Sequence, residues 1–270
     1  MPELPEVETT RRGIQPFVEG KRIEALEVRE PRLRWPVEER CRDVIDHSIE
    51  AVKRRGKYII MHTAGGNLIW HLGMSGSMRI LPTVHASADH EHVCLQLDDG
   101  NSLRFRDPRR FGALLYCEHD PLQHPLLARL GPEPLSPGFN PDYLQAALAT
   151  RSGPIKNQIM NSQLVVGVGN IYACESLYRS RINPRTRANR ISLERLQRLT
   201  QAIKQTLQQA IEQGGTTLRD FTSADGKPGY FRHALQVYAR EGLPCPGCGR
   251  PVKRLVLGQR STFYCSQCQR

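Results

Sequence analysis

Between about residues 22 and 118 the chain runs in short stretches rich in β-branched and aromatic residues: "RIEALEVRE", "KYIIMHT", "NLIWHLG", "HVCLQLD", "SLRFRD" and "GALLYCE". Turn signals such as "AGGN" and "DDGN" separate several of them, and short strands at close spacing predict a β-sandwich or barrel. Ahead of them Pro5 stands where a first helical turn would begin, Glu6 and Glu8 suit the positive end of that helix, and Val7, Thr10 and Ile14 share one face. The pattern changes after "GPEPLSPGFNP", which is dense in Pro and Gly and has no period. In "SLERLQRLTQAIKQTLQQAIEQGG" the residues Leu193, Leu196, Leu199, Ile203, Leu207 and Ala210 recur at helical spacing, with Ser192 as N-cap and Gly214–Gly215 as the stop. The last stretch, from about 237, is too short to bury a core of its own and needs a staple. The expectation is an α+β protein with an N-terminal β-sandwich domain over 1–130, a linker over 131–150, a helical domain over 151–236 and a terminal module over 237–270.

Charge and cysteine usage narrow the function. The chain holds 38 Lys and Arg against 27 Asp and Glu, a formal charge of +11, which points to a polyanionic partner such as nucleic acid. No apolar run reaches membrane-spanning length and no basic-then-apolar leader opens the chain, so a cytoplasmic protein with no membrane partner is expected. Cys41, Cys94, Cys117 and Cys174 are scattered, whereas Cys245, Cys248, Cys265 and Cys268 form two tight pairs with sixteen residues between them. That spacing predicts one structural zinc ion held by four thiolates, with "GRPVKRLVLGQRSTFY" folding as a β-hairpin between the pairs. Four thiolates leave no position open for water, so the metal does no chemistry. Arg254 and Arg260 fall on that hairpin, within reach of a phosphate.

Three other stretches carry candidate chemistry. In "VVGVGNIYA" Gly167 and Gly169 allow close backbone approach and Asn170 opens a helix-like segment, the makings of a phosphate site; a tight turn between packed helices explains the same residues. "MSGSMRI" and "FRDPRRFG" place Met74, Arg109 and Phe111 in turns, where they would either wedge into a base stack or pack as ordinary core. Once Met1 is removed, Pro2 carries a secondary amine. An α-amino group has a pKa of roughly 8, so a useful fraction is nucleophilic at neutral pH. Such an amine can attack the anomeric carbon of a sugar, displace a base and leave an iminium that permits strand cleavage by elimination. Glu3 and Glu6 are the nearby acid/base candidates, although Glu6 also serves as a helix-dipole partner.

Taken together, "PELPEVE", "HLGMSGS", "DPRRFG", "GPEPL", "VVGVGNIYA", "EQGGTTLRDF", "DGKPGYF" and the cysteine quartet resemble the bacterial formamidopyrimidine-DNA glycosylases nearly end to end. The resemblance implies a helix–two-turns–helix element in the helical domain and a zinc-ribbon hairpin after it. It implies a monomeric enzyme that excises 8-oxoguanine and formamidopyrimidines from double-stranded DNA, acts on abasic sites, and cuts the strand by β,δ-elimination, with DNA between the two domains. Pro2 would be the Schiff-base nucleophile, Glu3 the general acid/base, and Glu6 a contact to the damaged nucleotide or a support for catalysis. Lys57 would donate the proton in β-elimination and Arg260 in δ-elimination. His90, Arg109, Arg151 and Asn170 would contact DNA, and Met74, Arg109 and Phe111 would fill the gap left by the extruded base. Residues 216–230, with Thr216, Thr217, Lys227 and Tyr230, match the loop that closes over that base. Arg151 stands where many relatives have Lys, and "YRSRINPRTRANR" is unusually rich in arginine. Two other readings are an endonuclease VIII-like enzyme acting on oxidised pyrimidines and a non-catalytic zinc-ribbon DNA-binding protein.

Overall fold

The computed structural model describes residues 2–215 and 235–270; the loop residues Thr216, Thr217, Lys227 and Tyr230 lie outside them. The chain divides into two compact units, which among the described residues comprise 2–128 with 213–215, and 129–212 with 235–270.

The first unit opens with helix α1 (Leu4–Val18). Eight strands follow: β1 (Ile23–Val28), β2 (Ile49–Arg55), β3 (Tyr58–Thr63), β4 (Gly66–His71), β5 (Ser77–Pro82), β6 (Glu91–Leu97), β7 (Asn101–Arg106) and β8 (Ala113–Cys117). They form two antiparallel four-stranded sheets, ordered β1-β6-β7-β5 and β2-β3-β4-β8. Ile23, Val93, Leu95 and Phe105 from one sheet share a core with Ile49, Ile59, Met61 and Trp70 from the other. Trp70 and Phe105 meet across it at 5.7 Å between ring centroids. This is the expected sandwich. Val7, Ile14 and Val18 of α1 join the same core, and Thr10 is buried beside them.

The six quoted runs correspond to β1, β3, β4, β6, β7 and β8, whereas β2 and β5 escaped the strand reading. In β2 the buried residues Ile49 and Val52 are three apart because the register shifts between Ile49 and Ala51. β1 carries the same shift and burial spacing yet is legible, so the difference lies in composition: β2 ends in Lys53, Arg54 and Arg55, outside the β-branched and aromatic types enriched in strands. β5 begins inside "MSGSMRI", where Gly and Ser suggest a turn, yet Ser77 and Met78 are buried.

A short helix, α2 (Pro125–Ala128), ends the first unit. In the second, α3 (Pro141–Leu148) is capped by Asn140, whose side chain accepts the Tyr143 N–H at 2.9 Å. This helix lies inside 131–150, read from the sequence as linker, and buries Leu144 and Leu148. Proline at its first position had looked like linker composition, but there it is a helix start. After α4 (Ile155–Ile159) and α5 (Asn170–Arg179) comes α6 (Leu193–Glu212). α6 buries Leu196, Leu199, Ile203, Leu207 and Ala210, the stripe its periodicity predicts, and packs on α5 and α3. Strands β9 (Lys253–Leu257) and β10 (Arg260–Tyr264) form the expected hairpin between the cysteine pairs.

Candidate active site and metal centre

Chain termini usually fray, but the start of this one is built in. Pro2 is buried, and Glu3 and Glu6 are 2% and 0% exposed. Glu3 is the N-cap of α1, and its carboxylate accepts the N–H of Glu6. Glu6 Oε2 in turn accepts the Glu3 N–H at 2.8 Å. That is a capping box made from two glutamates, and it satisfies two helix-end donors while fixing the chain beside Pro2. Glu6 is thus more than a partner for the helix dipole: its carboxylate is folded back toward the terminus. Gly215, with φ of +80°, lies close enough that an added Cβ would stand 3.2 Å from Glu6 Oε1, so the described chain reaches Glu6 just before residue 216.

Glu8, too, is more than a partner for the helix dipole. It receives Arg11 at 2.9 Å, Arg12 at 2.8 Å and Arg54 of β2 at 3.0 Å. Burial would raise its pKa, but the Arg11 and Arg12 hydrogen bonds and the charges of Arg11 and Arg54 outweigh it and hold the carboxyl down at about 2. Arg54 also donates to the Gly56 carbonyl at 2.9 Å. Glu8 and Arg54 therefore tie α1 to the β2–β3 turn that presents Lys57. On β4, His71 packs its ring on Tyr58 at 4.9 Å. Burial, with the charges of Lys57 and Arg34, pushes the His71 pKa down to about 3, so the imidazole is neutral. Its Nδ1 accepts the Gly73 N–H at 3.0 Å, which leaves Nε2 as the donor. Nothing in the pattern of residues singles out His71, which reads as one more strand residue.

The turns carrying Met74, Arg109 and Phe111 are distant in sequence but joined in space. Asp107, fully buried, accepts the Ser75 hydroxyl at 2.6 Å and the Gly112 N–H at 2.7 Å. Ser75 Oγ then accepts the Arg109 N–H at 3.2 Å. A Cβ on Gly73 would lie 2.3 Å from the Phe111 carbonyl carbon, so only glycine lets these turns touch. Phe111 is 46% exposed, and the Arg109 guanidinium lies 5.1 Å from its ring centroid. Met74 is half-buried; Phe111, a large apolar side chain held outward on a rigid base, is suited to entering a stack of bases. His90 is exposed, has φ of +66°, and its carbonyl accepts the Asp107 N–H at 3.0 Å, at the edge of the same assembly.

In the second unit Asn170 opens α5, with Gly169 as N-cap, and its Nδ2 donates to the Ser261 carbonyl at 2.9 Å. Fully buried Lys156 of α4 donates to Thr262 Oγ1 at 2.7 Å. Both fasten β10, whose first residue is Arg260, exposed after the Gly258–Gln259 turn. Arg254 bonds Ser261 Oγ at 3.2 Å on the same hairpin. Arg151 is differently occupied: it donates to the Ala147 carbonyl at 3.1 Å and to Gln158 Oε1 at 3.2 Å, which ties it to the end of α3.

The four clustered cysteines converge, with all sulfurs within 4.8 Å of one another. Cys245 and Cys268 are 3.8 Å apart and Cys248 and Cys265 3.4 Å. A tetrahedron with metal–sulfur bonds of about 2.3 Å requires close to this separation. The donor set suits one zinc ion, and among the described residues it is the one such cluster of His, Cys and acidic groups. Cys41 and Cys94 are buried in the first unit, and Cys174 is buried beside Cys245 and Cys265 without joining the ligand set. No helix among the described residues is long and apolar enough to cross a membrane.

Comparison with known proteins covers nearly the whole chain. Residues 1–114 match the family "Formamidopyrimidine-DNA glycosylase N-terminal domain", 130–222 the "Formamidopyrimidine-DNA glycosylase H2TH domain", and 242–270 the "Zinc finger found in FPG and IleRS". The formamidopyrimidine-DNA glycosylase of Shewanella amazonensis is 53% identical over 100% of this chain and 99% of that protein. The one from Idiomarina loihiensis is 52% identical over 100% of both. The crystal structure of MutM (Fpg) from Thermus thermophilus superimposes with a TM-score of 0.90 at 40% identity, covering 99% of this chain and 98% of that one. A Lactococcus lactis Fpg mutant bound to DNA containing Fapy-dG gives 0.92 at 31% identity, covering 99% of both chains. The same organism's Fpg with DNA containing an abasic site gives 0.91 at 31%, again over 99% of both.

Proposed function

This chain belongs to the formamidopyrimidine-DNA glycosylase family, and from that premise we propose that it removes oxidised purines from DNA with Pro2 as nucleophile and then cuts the strand at the resulting abasic site. The observation that carries this reading is the buried, doubly capped start of α1, which holds residues 2–6 in one conformation. Fixing a nucleophile and its acid/base partner before the substrate arrives removes an entropic cost from the barrier.

Pro2 nitrogen is an amide while Met1 is attached and an amine once it is removed. That amine attacks C1′ of the damaged nucleotide. The C1′–N bond breaks, its electron pair leaves with the base, and the base takes a proton. Loss of the proton on the proline nitrogen leaves an aminal; the nitrogen lone pair then expels O4′ with its electron pair, O4′ takes a proton, and the opened sugar carries the iminium at C1′. Glu3, next in the chain, relays protons at the sugar, and Glu6 holds it through the capping box. The iminium acidifies C2′: removal of a proton there expels the 3′ phosphate oxygen with its electron pair, and repetition at C4′ expels the 5′ phosphate. Lys57 supplies the proton in the first elimination and Arg260 in the second.

C1′ is inaccessible inside a stacked duplex, so the nucleotide must leave the helix at a cost of a few kcal/mol. Met74, Arg109 and Phe111 offset this by filling the gap, while Asn170 holds phosphate and His90 and Arg151 contact the DNA. Neutral His71, with Nε2 as donor, is suited to a phosphate oxygen beside Lys57. The zinc ion supplies no reaction step; Cys245, Cys248, Cys265 and Cys268 would hold it so that the hairpin bearing Arg260 keeps its shape. The loop 216–230 reads the damaged base. The protein acts as a monomer on double-stranded DNA in the cytoplasm, where reduced cysteines keep the metal.

Incision assays on matched duplexes decide the substrate. A duplex with 8-oxoguanine opposite cytosine is cut, and one with thymine glycol opposite adenine is cut at least about tenfold more slowly. The reverse order would assign the chain to oxidised pyrimidines.

A further inference from the structure

Helix α5 meets the metal module at three points along its length. At its start Asn170 bonds the Ser261 carbonyl. In its middle, Glu175, 4% exposed, accepts the backbone N–H groups of Gln236, Val237 and Tyr238 at 2.9, 3.0 and 2.8 Å. Near its end the Tyr178 hydroxyl lies 3.3 Å from Sγ of Cys245. The first two points fasten backbone. The third touches a sulfur that binds the metal.

A zinc-bound cysteine is a thiolate and has no proton to give, so in the loaded protein the proton between these two atoms belongs to the phenol. The knuckle around Cys245 is shaped to admit that hydroxyl. In "CPGC" Gly247 stands so close that an added Cβ would lie 2.9 Å from the Tyr178 oxygen. A side chain at 247 would push the hydroxyl away. The Tyr178 ring is itself held, packing against a buried cluster of Cys174, Val237, Cys245, Val252 and Cys265, so little side-chain freedom remains to be lost when the bond forms.

We propose that Tyr178 is a positioning residue of the metal centre: its hydroxyl donates to the Cys245 thiolate, draws charge from that sulfur and fastens the Cys245–Cys248 knuckle to α5, so that the metal is retained longer. Partners outside the ligand set commonly tune metal sites in this way. Through this link the helix that begins at Asn170 also steadies the hairpin that carries Arg260.

The test uses the full chain loaded with cobalt or zinc. In Tyr178→Phe the ring stays and the donor is lost. The sulfur-to-cobalt charge-transfer band then moves to lower energy, because the sulfur lone pairs are no longer stabilised. Zinc passes to a chromogenic chelator about fivefold faster, the factor expected for one net hydrogen bond. The melting temperature in excess zinc stays close to that of the parent. Placing 3-fluorotyrosine at 178 keeps the shape and strengthens the donor, and it moves the band to higher energy. A band unmoved by both changes contradicts the proposal. So does a lowered melting temperature with an unmoved band, which would make Tyr178 a packing residue only.

Discussion

Glu3 and Glu6 are placed by helix-end hydrogen bonding and are proposed to act in catalysis, and the two roles separate experimentally. In Glu3→Gln the side-chain oxygen can still accept the Glu6 N–H, but the group no longer titrates. Base excision should fall by about 10²- to 10⁴-fold, the usual worth of a general acid/base, with stability changed by less than about 1 kcal/mol. Single-turnover kinetics and thermal melting check the pair of outcomes, and an equal loss in both would make Glu3 merely a cap. Glu8 gives a prediction about pH. Folded, it releases its proton at about 2 against an ordinary value of 4.5. Its stabilisation is therefore complete above pH 4.5 and disappears as the pH falls toward 2. The shift corresponds to roughly 3 kcal/mol at most, and screening by solvent brings it nearer 1–2. Glu8→Gln should be less stable than the parent at pH 7 and nearly equal to it at pH 2, as read by denaturant melts. At this scale the sequence was legible where chemistry and spacing coincide, as in the cysteine quartet. It was silent on His71, Asp107, Glu175 and Tyr178, whose importance lies in partners up to 67 residues away.

Among elements, the decisive pairing is between the turns 73–76 and 107–112. "HLGMSGS" and "DPRRFG" each read as an isolated turn, and nothing in their spacing shows that Asp107 binds both. Asp107→Ala would leave the Ser75 hydroxyl and the Gly112 N–H without an acceptor, at a cost of about 1–3 kcal/mol for each buried group. The consequence for function should be selective. Excision from a duplex, where a wedge is needed, should fall more than excision from a single strand carrying the same lesion. Equal losses on both substrates would show that the turns do not act as a wedge. The strands followed the same rule of legibility. Runs dense in β-branched and aromatic residues, such as β3 and β4, were readable, whereas β2 ends in Lys53, Arg54 and Arg55 and was not. The helix α3 was hidden by prolines that mark a helix start as readily as a linker.

At the scale of the whole molecule, the sandwich and the helical unit with its zinc module were both apparent from the change in period after residue 131. The joining of strands into two particular sheets was not, because register depends on contacts across the chain. The expected metal content is one zinc per chain, and removing it with a chelator should weaken duplex binding by at least about tenfold, or roughly 1.4 kcal/mol. Binding unchanged in the stripped protein would mean that the hairpin makes no contribution to DNA. The central claim is that the amine of Pro2 bonds to the sugar, and borohydride trapping on 8-oxoguanine duplex tests it most directly. Protein lacking Met1 should become covalently attached to the DNA, with the reduced adduct mapping to Pro2 by peptide mass, and protein retaining Met1 should not. An adduct on a lysine, or full excision by the protein that retains Met1, would contradict the account.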